Sequence, residues 1–226
     1  MTSFAGVPVP RLIESPVMDF GPFLITAILI SLSGVMAPGP LTVVVVGKGA
    51  KSPRAGALIA LGHGAIEFPL MVLIALGLGP FFQHEAFATT VGLAGGGVLL
   101  WMAAGLLLSL RRGSAPEAGP ERMHEASPFM AGVLMTGGNP YFIVWWATVG
   151  ATLAFRAWSY GVWQFALFAV IHWSLDLIWY FFLSSTAFKG TKLLGDRFLR
   201  GVSLLAGLML LYFGVRFLSD ALGNLF

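Results

Sequence analysis

The sequence predicts an all-α integral membrane protein, with six transmembrane helices arranged as two inverted three-helix repeats. Three observations predict it. The 226 residues are 57% hydrophobic and only 10% charged, with a mean hydropathy of +0.85, whereas a soluble domain carries about 25% charged residues. The charges fall in clusters, and each gap between clusters is long enough for the roughly 20 apolar residues of a membrane-crossing helix. Two motifs of the first half recur, in the same order, in the second.

The elements follow in chain order. Residues 1–19 hold Pro8, Pro10 and Pro16 and read as an extramembrane segment rather than a cleavable leader. The first half, 20–110, has spans at Phe20 to Gly47, Ala55 to Gln83 and Ala86 to Leu110. Its only ionisable interior groups are His63 and Glu67. A charged, proline-bearing linker follows at 111–127. The second half, 128–226, has spans at Ala126 to Phe155, Ala157 to Phe188 and Val202 to Leu218. Its interior groups are His172, Asp176 and Arg216. Helices are the expected form because these runs are too long and continuous for barrel strands.

Orientation follows from Lys and Arg, which concentrate in cytoplasmic loops. Lys48, Lys51, Arg54, Arg111, Arg112, Arg122, Lys189, Lys192, Arg197 and Arg200 lie on one side, against Arg11, Arg156 and Arg216 on the other. Ten against three predicts an inner-membrane, multi-pass protein with both termini outside and a cytoplasmic linker. With no cysteine there is no disulfide framework or thiolate metal site. A net charge of +3 spread over several loops gives no reason to expect a nucleic-acid partner. No cofactor is expected. The expected partners are the lipid bilayer and a small-molecule substrate. Gly92, Gly95, Gly96 and Gly97 would serve helix contacts within the chain or in a homodimer.

The repeat rests on matched motifs. Ala37-Pro38-Gly39-Pro40 in the first half has its counterpart in Gly137-Gly138-Asn139-Pro140, and His63 with Glu67 has one in His172 with Asp176. A weaker match sets Gly96, Trp101 and Ser109 against Gly207, Tyr212 and Asp220 at a constant offset of 111. Three spans per copy would invert the second copy. In transporters so built, the site lies at the repeat interface, and paired Gly/Pro interruptions point to it. Proline removes a backbone donor and clashes with the preceding turn, so Pro38, Gly39, Pro40, Asn139 and Pro140 are candidate substrate-binding positions. Trp145 and Trp146 lie too deep for an interfacial belt. They either wall a cavity or pack against lipid.

The stretch with Ala37-Pro38-Gly39-Pro40, Gly49, Arg54-Ala55-Gly56 and Gly62, followed by Gly132 and Asn139-Pro140, resembles the LysE/RhtB family of amino-acid exporters. The resemblance covers about Phe20 to Leu218. It implies export of amino acids or similar small metabolites, driven by an ion gradient. Two features depart from the family pattern: Tyr141, where a lysine often follows Asn-Pro, and the His–acid pairs.

Residues four apart share a helix face, which sets His63 beside Glu67 and His172 beside Asp176. Glu67 lies twelve residues from Ala55, and Asp176 twelve from Phe188. That depth is about 18 Å at 1.5 Å per residue, near the middle of a hydrocarbon core about 30 Å thick. Ionisable groups at that depth face a cavity or each other. Three roles stay open for the four residues: a structural tie, an ion-coupling and substrate-binding site, or ligands for a divalent metal. The last makes a divalent metal-cation exporter the alternative to an amino-acid exporter. An enzyme is not expected, since no His-Glu-x-x-His, Gly-x-Ser-x-Gly or P-loop is present.

Overall fold

The structure is a computed structural model that describes residues 19–37, 39–78, 84–111 and 126–223. Pro38 and nearly all of the expected segments 1–19 and 111–127 fall outside that range. Every regular element among the described residues is helical.

Helix α1 (Phe20–Val35) stops just before the proline-rich stretch, and α2 (Pro40–Gly49) begins on a proline. The first position of a helix tolerates proline because its N–H would be unpaired anyway. The two axes meet at 75°. Helix α3 (Ala55–Leu73) runs into a wider π-type turn, Ile74–Leu78, where Gly77 takes a φ of 107°. Helix α4 (Glu85–Arg111) closes the first half.

The second half repeats the break. Helix α5 (Pro128–Gly137) ends at two glycines, and α6 (Pro140–Trp145) restarts on a proline. A π-type turn, Trp146–Gly150, leads into α7 (Ala151–Tyr160). Helices α8 (Val162–Leu194) and α9 (Asp196–Gly223) complete the chain. Among the described residues, four helical stretches are long and apolar enough to cross a membrane by themselves, and α1 with α2 makes a fifth if the bent pair is one span.

The stretch expected as a fourth span, Ala126 to Phe155, is therefore not one helix. Its far boundary also moves. The helix continues through Arg156, and the chain turns at Gly161, with φ 128°. Arg156 is exposed on the flank of α7. A long basic side chain can lift its charge away from apolar surroundings, so a lone arginine need not mark a loop. In the same way α8 runs on past Phe188, with Lys192 over the Phe188 ring at 4.3 Å. The turn into α9 is at Gly195, φ 57°.

Helices α4 and α9 pack along each other, and α3 lies between α5 and α8. The α3–α5 crossing is backbone-close. A Cβ on Gly62 would run into the Phe129 carbonyl, and one on Gly132 into the Ile59 carbonyl. Small residues permit such approach where dispersion rather than water exclusion drives helix association. Helix α8 is tied to α3 and its N-terminal approach by Trp173 Nε1 donating to the Ala60 carbonyl at 2.9 Å and Ser184 Oγ donating to the Pro53 carbonyl at 2.7 Å.

Candidate functional site

Helices α3 and α8 cross with their ionisable faces toward each other. His63, Glu67, His172 and Asp176 are 4%, 1%, 3% and 2% exposed, so all four lie in the interior. They form one cluster rather than two separate pairs. His63 Nε2 lies 3.1 Å from Glu67 Oε1, and His172 Nε2, from the other half, lies 3.3 Å from the same oxygen. Trp146 Nε1 donates to that oxygen too, at 3.2 Å. The imidazole Nε2 atoms stand farther from Asp176, at 3.8 Å for His63 and 4.0 Å for His172. Tyr180 follows Asp176 by one turn of α8, on the same helix face.

Each imidazole is held from behind by a hydroxyl of the opposite half. His63 Nδ1 lies 2.8 Å from Thr136 Oγ1 on α5, and His172 Nδ1 lies 2.7 Å from Ser31 Oγ on α1. Aromatic rings fix the ring planes. Trp145 stacks on His172 at 5.5 Å, Trp146 meets it edge-on at 5.2 Å, and Phe142 meets His63 edge-on at 5.2 Å. Glu67 Oε2 and Asp176 Oδ2 are buried acceptors with no hydrogen-bond partner among the described residues.

These atoms line a cavity of about 50 Å³ between the two helix breaks, partly open at its mouth. Of the expected site residues, Gly39, His63, Glu67, Asn139, Trp145, Trp146, His172 and Asp176 line it. Pro40 is not among the lining residues. Pro40 and Pro140 are the first residues of α2 and α6, whose N-terminal turns line the cavity. Asn139 caps α6, its Oδ1 accepting from the Tyr141 N–H at 3.1 Å. On the tryptophans, the structure sides with the cavity wall: Trp145 and Trp146 are 9% and 1% exposed, and Trp145 lies against Gly34 of α1.

Sequence reasoning missed Ser31, Thr136 and Tyr180. The signal for the hydroxyls was available: each is a small polar residue in the last turns before a helix break, inside an otherwise apolar run. Tyr180 sits at i+4 from Asp176, the spacing that places it on the same face.

With that geometry in view, the comparison with known proteins is specific. The profile of the LysE type translocator family matches residues 32–221. The chain belongs to that family. This translocator is therefore a multi-pass membrane protein that moves small molecules. It is similar to a Bacillus subtilis (strain 168) protein named "Putative amino acid efflux protein YcgF", with 29% identity over 192 residues, covering 84% of this chain and 92% of the relative. No solved structure matches the chain. The matched region contains both helix breaks and all four residues of the buried cluster.

His63, Glu67 and Asp176 also offer donor atoms within 4.8 Å of one another, a spacing that would suit a cation. Family membership does not favour that use.

Proposed function

We propose that this translocator exports an amino acid, or a similar small amine-bearing metabolite, from the cytoplasm in exchange for protons. Transport runs by alternating access between two inverted three-helix halves. The observation that carries this reading is the buried cluster: each half gives one histidine and one acid, and each imidazole is bonded by a hydroxyl of the other half. A two-fold exchange of contacts of that kind is what an inverted repeat produces around a midplane site.

Charge accounting gives the coupling. Two carboxylates and two imidazoles, taken as a neutral group, hold two exchangeable protons however these are distributed. Loss of one leaves a single net negative charge. An ammonium group supplies the matching positive charge, so substrate and proton compete for one position. An uncompensated charge at mid-membrane costs at least about 2.5–3.5 kcal/mol, which disfavours the empty deprotonated state and ties the two fluxes together. His63, Glu67, His172 and Asp176 are the coupling groups. Gly39 at the break before α2, with Asn139 opposite, contributes to the substrate's polar seat, and Trp145 and Trp146 form the wall.

Proteoliposomes test this. Labelled amino acid should show counterflow, and an inward proton gradient should accelerate efflux. Glu67→Gln and Asp176→Asn should each lower exchange at least tenfold. Normal exchange by both variants would make the acids structural. Stoichiometric binding of Zn²⁺ or Mn²⁺, lost in both variants and unaccompanied by amino-acid flux, would establish the metal-exporter alternative instead. The proposed orientation has its own test, because the chain lacks cysteine. Ser114→Cys should resist impermeant thiol reagents applied outside intact cells, and labelling there would reverse the topology.

A further inference from the structure

The acid cluster provides for one end of an amino acid and leaves the other to be found. An ammonium needs acceptors, and Glu67 Oε2 and Asp176 Oδ2 are buried in the cavity without partners among the described residues. A carboxylate needs donors. Among the described residues no Lys or Arg lines the cavity, and both nitrogens of each imidazole face groups already named.

The remaining side-chain donors of the lining are neutral, the Tyr141 and Tyr180 hydroxyls and the Trp145 indole N–H, and the donors backed by helix-end charge are backbone N–H groups at the start of α2. A helix leaves its first N–H groups without intrahelical partners. Here the first ladder bond runs from Val43 N to the Gly39 carbonyl at 3.2 Å, and Pro40 has no N–H. The N–H groups of Leu41 and Thr42 therefore have no partner among the described residues, and both residues line the cavity. The dipole of this ten-residue helix adds partial positive charge at the same end. At the matching position in the other half the Asn139 side chain already takes the Tyr141 N–H, which leaves only that of Phe142 at the start of the six-residue α6.

The rest of the lining selects the side chain. Outside the four cluster residues the wall is uncharged, with Tyr141, Phe142 and Trp145 presenting aromatic surface. A second charged group on the substrate would lose its hydration there without gaining a counter-ion.

We infer that the cavity takes an amino acid with an uncharged, apolar side chain, its carboxylate on the N–H groups of Leu41 and Thr42 and its ammonium on the free oxygens of Glu67 and Asp176. This rests on the exporter reading and gives that site its substrate class. A basic side chain finds both acids occupied, an acidic one finds no donor, and an amine without a carboxylate leaves two N–H groups unpaired.

The test is a counterflow panel on the unmodified protein in proteoliposomes: leucine, phenylalanine, lysine, glutamate and phenethylamine. Leucine and phenylalanine should exchange, and the other three should run at least tenfold slower. Lysine or glutamate keeping pace with leucine would overturn the side-chain selection. Phenethylamine keeping pace with phenylalanine would overturn the carboxylate seat. Either result leaves the exporter reading standing, because a substrate has moved. If no member of the panel exchanges, the exporter reading falls and this inference falls with it.

Discussion

Glu67 on α3 and Asp176 on α8 occupy matching places in the two halves, yet their surroundings differ. One oxygen of Glu67 accepts from Trp146 Nε1 at 3.2 Å and lies 3.1 and 3.3 Å from the Nε2 atoms of His63 and His172. Asp176 stands 3.8 Å or more from both imidazoles. Part of the asymmetry is written beside the breaks. Counted from Pro40 and Pro140, the first half has Val45 and Val46 where the second has Trp145 and Trp146. Only the second half supplies an indole N–H, and it goes to Glu67. Two matched motifs thus sit in unlike surroundings: Glu67 is contacted from both halves, and Asp176 stands apart from both imidazoles.

The largest expected effect tests that difference directly. Glu67→Ala removes the acceptor of the buried Trp146 indole and the carboxylate beside both imidazoles, which then face an uncompensated gap, a change of the class that costs about 3–5 kcal/mol. Asp176→Ala removes an acid that stands farther from both imidazoles, at about 1–3 kcal/mol. Thermal unfolding of the two purified variants in the same detergent should therefore show a clearly larger loss for Glu67→Ala. Equal losses would erase the distinction between an acid contacted from both halves and one that stands apart.

The sequence carried much of this architecture but not its finest geometry. Helix breaks were legible at 38–40 and 139–140, because proline and paired glycines act locally, whatever the rest of the chain does. The shared helix face of His63 with Glu67, and of His172 with Asp176, followed from their four-residue spacing. Sharing of one Glu67 oxygen between both histidines was not legible, because it depends on the crossing of α3 and α8. The turn at Gly161 was misplaced for a related reason: Arg156 was given the weight of a loop when its long side chain leaves the helix intact. Ser31 and Thr136 were passed over because a small hydroxyl in an apolar run carries no charge to draw attention.

A second comparison concerns how closely the halves are joined. At the α3–α5 crossing, Gly62 and Gly132 bring backbone to backbone, whereas Gly21 on α1 has open space around its Cβ position. Gly132→Val should force the helices apart, at about 1–3 kcal/mol for overpacking, and displace Thr136 from His63. Gly21→Val should leave stability within experimental error. Detergent melting curves of the two variants check both. A tolerated Gly132→Val would mean that the crossing is looser than the coordinates place it.

The smallest effect separates the two halves most finely. Ser31→Ala and Thr136→Val each leave one imidazole Nδ1 without its hydroxyl, and the geometry of the two bonds is nearly the same, at 2.7 and 2.8 Å. Interhelical hydrogen bonds of this kind contribute about 0.6 kcal/mol on average and up to about 1.7 kcal/mol, so neither variant should unfold. The consequences for transport should still differ. His172 remains stacked on Trp145 and edged by Trp146 and thus keeps its orientation after Ser31→Ala. His63 keeps only edge contacts with Phe142 and Tyr180, at 5.2 and 5.9 Å, and is freer to turn once Thr136 is gone. Exchange measured across a range of pH should shift its profile more for Thr136→Val than for Ser31→Ala, with melting temperatures close to that of the parent. Identical profiles would mean that the hydroxyls, and not the aromatic rings, orient both histidines equally, and that the two halves differ only at Glu67.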